Sequence, residues 1–231
     1  MFTMWMESKG SEQMLKSKLQ QSGFDIVHPF SFDALDDSVL EYLPIKNLSG
    51  KMGFLVGNTG SIWDDFIEWL SQRLRWSEIV DPFETFIEET IERCVGQKTL
   101  IFWTHETKRY IIPVQRMAHQ TGLAYLSDGQ FNIHPRFGPW FALRAVVIVS
   151  GTMSSNQVIP NPSTEDIETT SKAMFNRLLQ SNATWQEWLS LRDLYIVGRT
   201  HRYSEEQIRY HYTRDKTVLL QEMDRLRTKI Q

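Results

Sequence analysis

Strand-like segments are few in this chain, and helices do not follow them one for one. That pattern argues against a doubly wound parallel sheet. It predicts an α+β fold, a mostly antiparallel or mixed sheet with helices around it. Phe141–Val149 is the clearest strand, with weaker extended runs at Phe24–Phe30, Phe54–Val56, Thr99–Thr104 and Leu123–Leu126. Residues 11–22 read as a helix that Gly23 ends in a left-handed cap. Ile62, Phe66, Trp69, Leu70 and Leu74 form a helical stripe behind a capping-box-like Ser61/Asp64 start. Asp81-Pro82 opens the next helix, which buries Phe83, Phe86, Ile87, Ile91 and Cys94 and stops at Gly96. Pro113 begins a short helix to Gln120, and further helices are expected at 164–181, 184–192, 204–212 and 215–229, the third opened by a Ser204/Gln207 capping box. The Gly, Ser, Asn and Pro cluster at Gly151–Ser163 reads as a flexible joint. It separates a mixed core, residues 1–150, from a mostly helical cap and C-terminal region, 151–231, packed on the same domain.

Composition narrows the function classes. At 231 residues and a formal net charge of −3, the chain is neither a disordered tail nor a polybasic nucleic-acid binder. One cysteine, Cys94, excludes an internal disulfide and a thiolate-rich metal site. Six histidines lie singly, so no metal site is expected. No apolar run is long enough to span a membrane and no signal peptide is evident, so the expectation is a reduced, soluble, cytoplasmic protein. The dinucleotide, P-loop, zincin and nucleophile-elbow motifs are all absent. Gly53–Gly60 follows a strand but lacks the Lys-Ser/Thr of a phosphate loop, so it reads as a turn.

Arg144 stands out. Strict alternation along Phe141–Val149 places Ala142, Arg144, Val146 and Ile148 on one face. A guanidinium on so apolar a face needs a partner, either a protein carboxylate or a bidentate anionic ligand.

Four ordered blocks then point to one family. His134-Pro135-Arg136-Phe137-Gly138-Pro139-Trp140-Phe141-Ala142-Leu143-Arg144 closely resembles the signature of the CblC family, also called MMACHC. Met117-Ala118-His119-Gln120-Thr121-Gly122-Leu123-Ala124-Tyr125, Trp185-Gln186-Glu187-Trp188 with Arg192-Asp193, and Arg202-Tyr203-Ser204-Glu205-Glu206-Gln207 agree with it in order and spacing. The resemblance spans about residues 15–220, and only these blocks are specific.

The resemblance implies a flavin-nitroreductase-like sheet with an added helical cap. It implies a cytosolic enzyme that binds cobalamin base-off and removes its upper axial ligand. Cyanocobalamin would lose cyanide with electrons from reduced FMN or FAD; alkylcobalamins would pass their alkyl group to glutathione. A flavin reductase and a downstream cobalamin-trafficking adaptor are the partners it implies. By family position, Arg144 and Arg192 clamp the glutathione carboxylates, and His119 orients the thiol or accepts its proton; a helix-end histidine bonded to backbone is the alternative. The family's third glutathione arginine falls on Val218, leaving Arg214 or Lys216 as substitutes. Corrin contacts are expected from Ile112, Pro113, Val114, Gln115, Leu126, Ser127, Asp128, Asn132 and Leu143. Cys94 lies on a core-like helix face, which leaves an external thiol as the nucleophile. Two other readings stay open: a carrier that hands cobalamin on without turnover, and a general flavin nitroreductase.

Overall fold

The computed structural model describes residues 2–96, 99–149 and 159–230. Most of the expected joint, Gly151–Val158, lies outside the described residues, and with it the boundary between the two expected regions. The chain order is α1 (Phe2–Gln21), β1 (Ile26–Ser31), α2 (Asp37–Leu40), β2 (Met52–Asn58), α3 (Ile62–Ser71), α4 (Pro82–Val95), β3 (Leu100–Trp103), α5 (Val114–Gln120), β4 (Tyr125–Leu126), β5 (Asn132–Ile133), β6 (Ala142–Val149), α6 (Glu165–Leu179), α7 (Trp185–Asp193), α8 (Glu205–Thr213) and α9 (Lys216–Ile230). Four strands make an antiparallel sheet in the order β1-β2-β6-β3; β4 and β5 form a separate hairpin. The α+β expectation therefore holds.

Both faces of the sheet are covered. Met52, Phe54, Val56, Ala145 and Val147 pack against α1, α3, α4 and α9 through Leu19, Phe66, Phe83 and Leu219. Leu55, Phe102 and Val146 face the other way, onto Met117, Ala118 and Val39 of α5 and α2. This double burial explains why β2 is buried at every position and reads as an apolar run instead of an alternating one. A third, smaller cluster joins Trp140 to Leu189, Tyr203 and Ile208 of the C-terminal helices. The helical region is thereby fastened to the residues just before β6.

Several local expectations need correction. Leu74 is fully exposed, because α3 ends at Ser71 and leaves it off the buried stripe. Ser61 is helical and makes no capping bond to α3. Its hydroxyl donates instead to Asp25 at 2.6 Å, as the Thr59 hydroxyl also does. An internal carboxylate thus fills the turn after β2. Ser204 does cap α8, accepting from the Gln207 amide at 3.1 Å, which is the first of the two bonds of the expected box.

Candidate active site

The face assigned to Arg144 is the main correction. Val56 pairs with Ala145 and Gly57 with Leu143, so Arg144 is the extra residue of a bulge in β6. A bulge interrupts the two-residue period. Leu143 consequently packs on the Val146 side of the sheet, while Arg144 crosses to the α4 side, its guanidinium 4.8 Å from the Phe83 ring centre. Gly57 permits this, because a Cβ there would stand 2.6 Å from the Ala142 carbonyl oxygen. Arg144 Nε donates to Asn58 Oδ1 at 2.7 Å, and Nη1 lies 3.6 Å from Glu84 Oε1. Its side chain is only 12% exposed, so this pairing is what the burial of a cation requires.

Arg192 reaches the same region from the last turn of α7. Its Nε and Nη2 both donate to the Pro139 carbonyl, at 3.0 and 2.5 Å, and its guanidinium lies 4.4 Å from the Trp140 ring centre and 4.9 Å from Tyr203. Among the described residues it has no carboxylate partner: Asp193 is taken by Arg202 at 2.9 Å, and Glu187 closes the capping box with Thr184. The motif blocks explain this placement. Gly138 (φ +56°) and Gly198 (φ +73°) meet back to back, a Cβ on Gly138 falling 1.8 Å from the Val197 carbonyl oxygen. Their contact brings the turn after α7 against the residues before β6.

Arg144 and Arg192 line one cavity of about 440 Å³. Its apolar wall includes Val114, Phe131, Phe141 and Leu143; its polar wall includes Thr104, Gln115, Asn132, Tyr203, His211 and Tyr212. Of the expected site residues, Val114, Gln115, Asn132 and Leu143 thus meet the two arginines. Asn132 donates to the Gln115 carbonyl at 3.0 Å, tying hairpin to helix at the rim.

Other expected residues lie elsewhere. His119 Nδ1 accepts from the Leu126 amide at 3.3 Å, and its ring meets Tyr125 edge-on; this is the backbone-bonded alternative, away from the cavity wall. Ser127 is buried and bonded to the Tyr195 hydroxyl at 2.8 Å. Asp128 pairs with Lys172 at 3.2 Å, and Ile112 is buried in the core beneath α5. Pro113 caps α5, and Leu126 pairs with Asn132 in the hairpin. Lys216 is turned away: its ammonium donates to the carbonyls of Ser77 and Ile79, at 2.9 and 2.8 Å. Arg214, in contrast, sits 3.4 Å from Glu84, the carboxylate that faces Arg144. Val218 is buried in the core.

His211 was missed. A lone histidine in a helix carries no sequence signal, and only the fold sets it on the cavity wall, 4.9 Å from Phe83 and 5.8 Å from Tyr203. Burial, then the fields of Arg144, Arg214 and Arg192, hold its pKa well below the usual 6.5, so the ring is neutral. Its Nε2 is buried without a hydrogen-bond partner. Among the described residues, no group of three or more His, Cys, Asp or Glu could hold a metal ion, and no helix is long and apolar enough to cross a membrane.

Known proteins resemble this chain in sequence and in fold. A cattle protein named cyanocobalamin reductase / alkylcobalamin dealkylase is 28% identical over 229 residues, covering 86% of this chain and 79% of its own. The human protein of the same name is 27% identical, covering 90% and 80%. The crystal structure of a Caenorhabditis elegans B12-trafficking protein, CblC, described as a homologue of human MMACHC, superposes with a TM-score of 0.72 over 91% of this chain and 94% of that one, at 19% identity. The model of the methylmalonic aciduria and homocystinuria type C (MMACHC) family matches residues 23–220, and this chain belongs to that family.

Proposed function

We propose that this chain is a cobalamin-processing enzyme: it binds cobalamin base-off and removes the upper axial ligand, by glutathione-dependent dealkylation of alkylcobalamins and by reductive decyanation of cyanocobalamin. The supporting observation is the pair of guanidinium groups on one cavity wall, one of them with no acidic partner among the described residues. A pure carrier has no need of such a clamp. A cavity of about 440 Å³ is within the range that encloses a small ligand. On this reading glutathione lies inside and the broad corrin disc lies across the mouth, against Val114, Phe131, Phe141 and Leu143.

The chain lacks the Asp-x-His-x-x-Gly segment that would supply a lower axial histidine, and His28 is half-buried with its Nε2 2.9 Å from the Thr121 carbonyl oxygen. Base-off cobalt without a protein ligand receives less electron density and is easier to reduce and to dealkylate. Arg144 and Arg192 hold the glutathione carboxylates and favour thiolate over thiol, the attacking form. The sulfur takes the alkyl carbon, and the carbon–cobalt electron pair stays on the metal. Fixing the tripeptide turns a bimolecular displacement into a positioned one. The sheet is then a flavin-nitroreductase-like one. Reduced FMN or FAD would supply the electrons for decyanation. A flavin reductase and a trafficking adaptor, met in the cytoplasm, would be the partners.

Methylcobalamin mixed with the protein and glutathione without oxygen tests this directly. The visible spectrum should shift to the base-off form and then lose the alkylcobalamin bands. A base-off shift with no further change would leave the carrier reading.

A further inference from the structure

Beside the cavity, behind Arg144, one carboxylate serves two cations. Glu84 Oε1 lies 3.6 Å from Arg144 Nη1 and 3.4 Å from Arg214 Nη2. Its other oxygen, Oε2, is 3.5 Å from His105 Nδ1, and both atoms are buried without a hydrogen-bond partner. Buried polar atoms are nearly always satisfied in folded proteins, so an exception asks for a reason. Holding Arg144 in place is not a sufficient one. Asn58 already fixes its Nε at 2.7 Å and Phe83 supports its plane.

We propose that Glu84 is a specificity-determining counter-ion, which tempers the positive field of Arg144 and Arg214 and so sets which anions the cavity retains. This rests on the glutathione reading and extends it to the charge balance of the site. Three guanidinium groups serve this region: Arg144 and Arg192 line the cavity with His211, and Arg214 shares Glu84 with Arg144. With the Glu84 charge, they leave two net positive charges for the two carboxylates of the tripeptide. Without it, an extra positive charge would hold the alkylated product, which carries the same carboxylates, too long. The proposal also makes Arg214 the chain's substitute for the third arginine, since it shares its counter-ion with Arg144 while Lys216 caps a turn elsewhere.

Calorimetric titration with S-methylglutathione, the product of methylcobalamin dealkylation, tests it on the full chain. Glu84→Gln keeps the shape and removes the charge, and should tighten binding on the order of tenfold at low salt, with a steeper salt dependence. Unchanged or weaker binding overturns the counter-ion role and makes Glu84 a structural prop. Arg214→Asn, which suits the left-handed backbone there (φ +55°), is a second arm should Glu84→Gln not fold. It should weaken binding several-fold, and an unaltered affinity would equally overturn the proposal. If the wild-type chain binds no S-methylglutathione, the glutathione reading itself fails, a result distinct from binding that ignores Glu84.

Discussion

A guanidinium held against one backbone carbonyl and two aromatic rings keeps donors for a ligand; one paired to a carboxylate shares them. Arg192 is the first kind and Arg144 the second. Both are expected to matter more for dealkylation than for decyanation, because only dealkylation uses the tripeptide. A charge-assisted hydrogen bond contributes about 1.5–3 kcal/mol, so Arg192→Ala should lower kcat/KM for glutathione roughly 10- to 150-fold. Decyanation should change only a few-fold. Steady-state assays of both reactions decide this, and equal losses would assign the arginines to the fold. Arg192→Lys should recover little, since a lysine cannot reproduce the planar stacking on Trp140 and Tyr203.

At the level of elements, α7 and the β6 bulge carry the two arginines, and their own contacts set the geometry. Thr184 caps α7 with a full capping box, so Thr184→Ala should cost about 1 kcal/mol and lower Tm by a few degrees. Gly138→Ala is a harsher change. A methyl group would fall inside the Val197 carbonyl at a positive φ, where no side chain can yield. The turn after α7 should separate from β6, with a destabilisation of about 3 kcal/mol or more in denaturant melts. Gly57→Ala attacks the bulge from the neighbouring strand and should raise KM for glutathione by disturbing Arg144 and its Asn58 partner. The specificity of the His134–Arg144 block makes physical sense here: half of it builds the turn, and half delivers the cavity wall.

For the molecule as a whole, acid is the expected weakness. His134 Nδ1 accepts two backbone amides, from Arg136 at 3.0 Å and Phe137 at 3.2 Å, and burial depresses its pKa to about 4. Burial likewise lowers His28 and His211. As pH falls below about 6.5, the unfolded chain gains protons that the folded chain refuses, so stability drops, the His134 contribution being lost as pH falls toward about 4. Tm measured from pH 7.5 to 4.5 should show this fall. His134→Asn, which keeps an acceptor but cannot be protonated, should make it shallower; an identical slope would remove His134 from the account.

Periodicity, caps and turn residues reach only as far as neighbours along the chain, and within that range the sequence alone placed nearly every helix, an α+β fold with a mostly antiparallel or mixed sheet, and the need of Arg144 for a partner. What depends on contacts between distant segments was decided by the tertiary structure. One inserted residue opposite Gly57 turned Arg144 to the α4 side, because a bulge is a property of two strands and not of one. Arg214 and Lys216 differ by two positions, yet helix ends from other parts of the chain sent one to Glu84 and the other to a turn. His211, a single histidine in sequence, gained its place on the cavity wall only when α8 met α4.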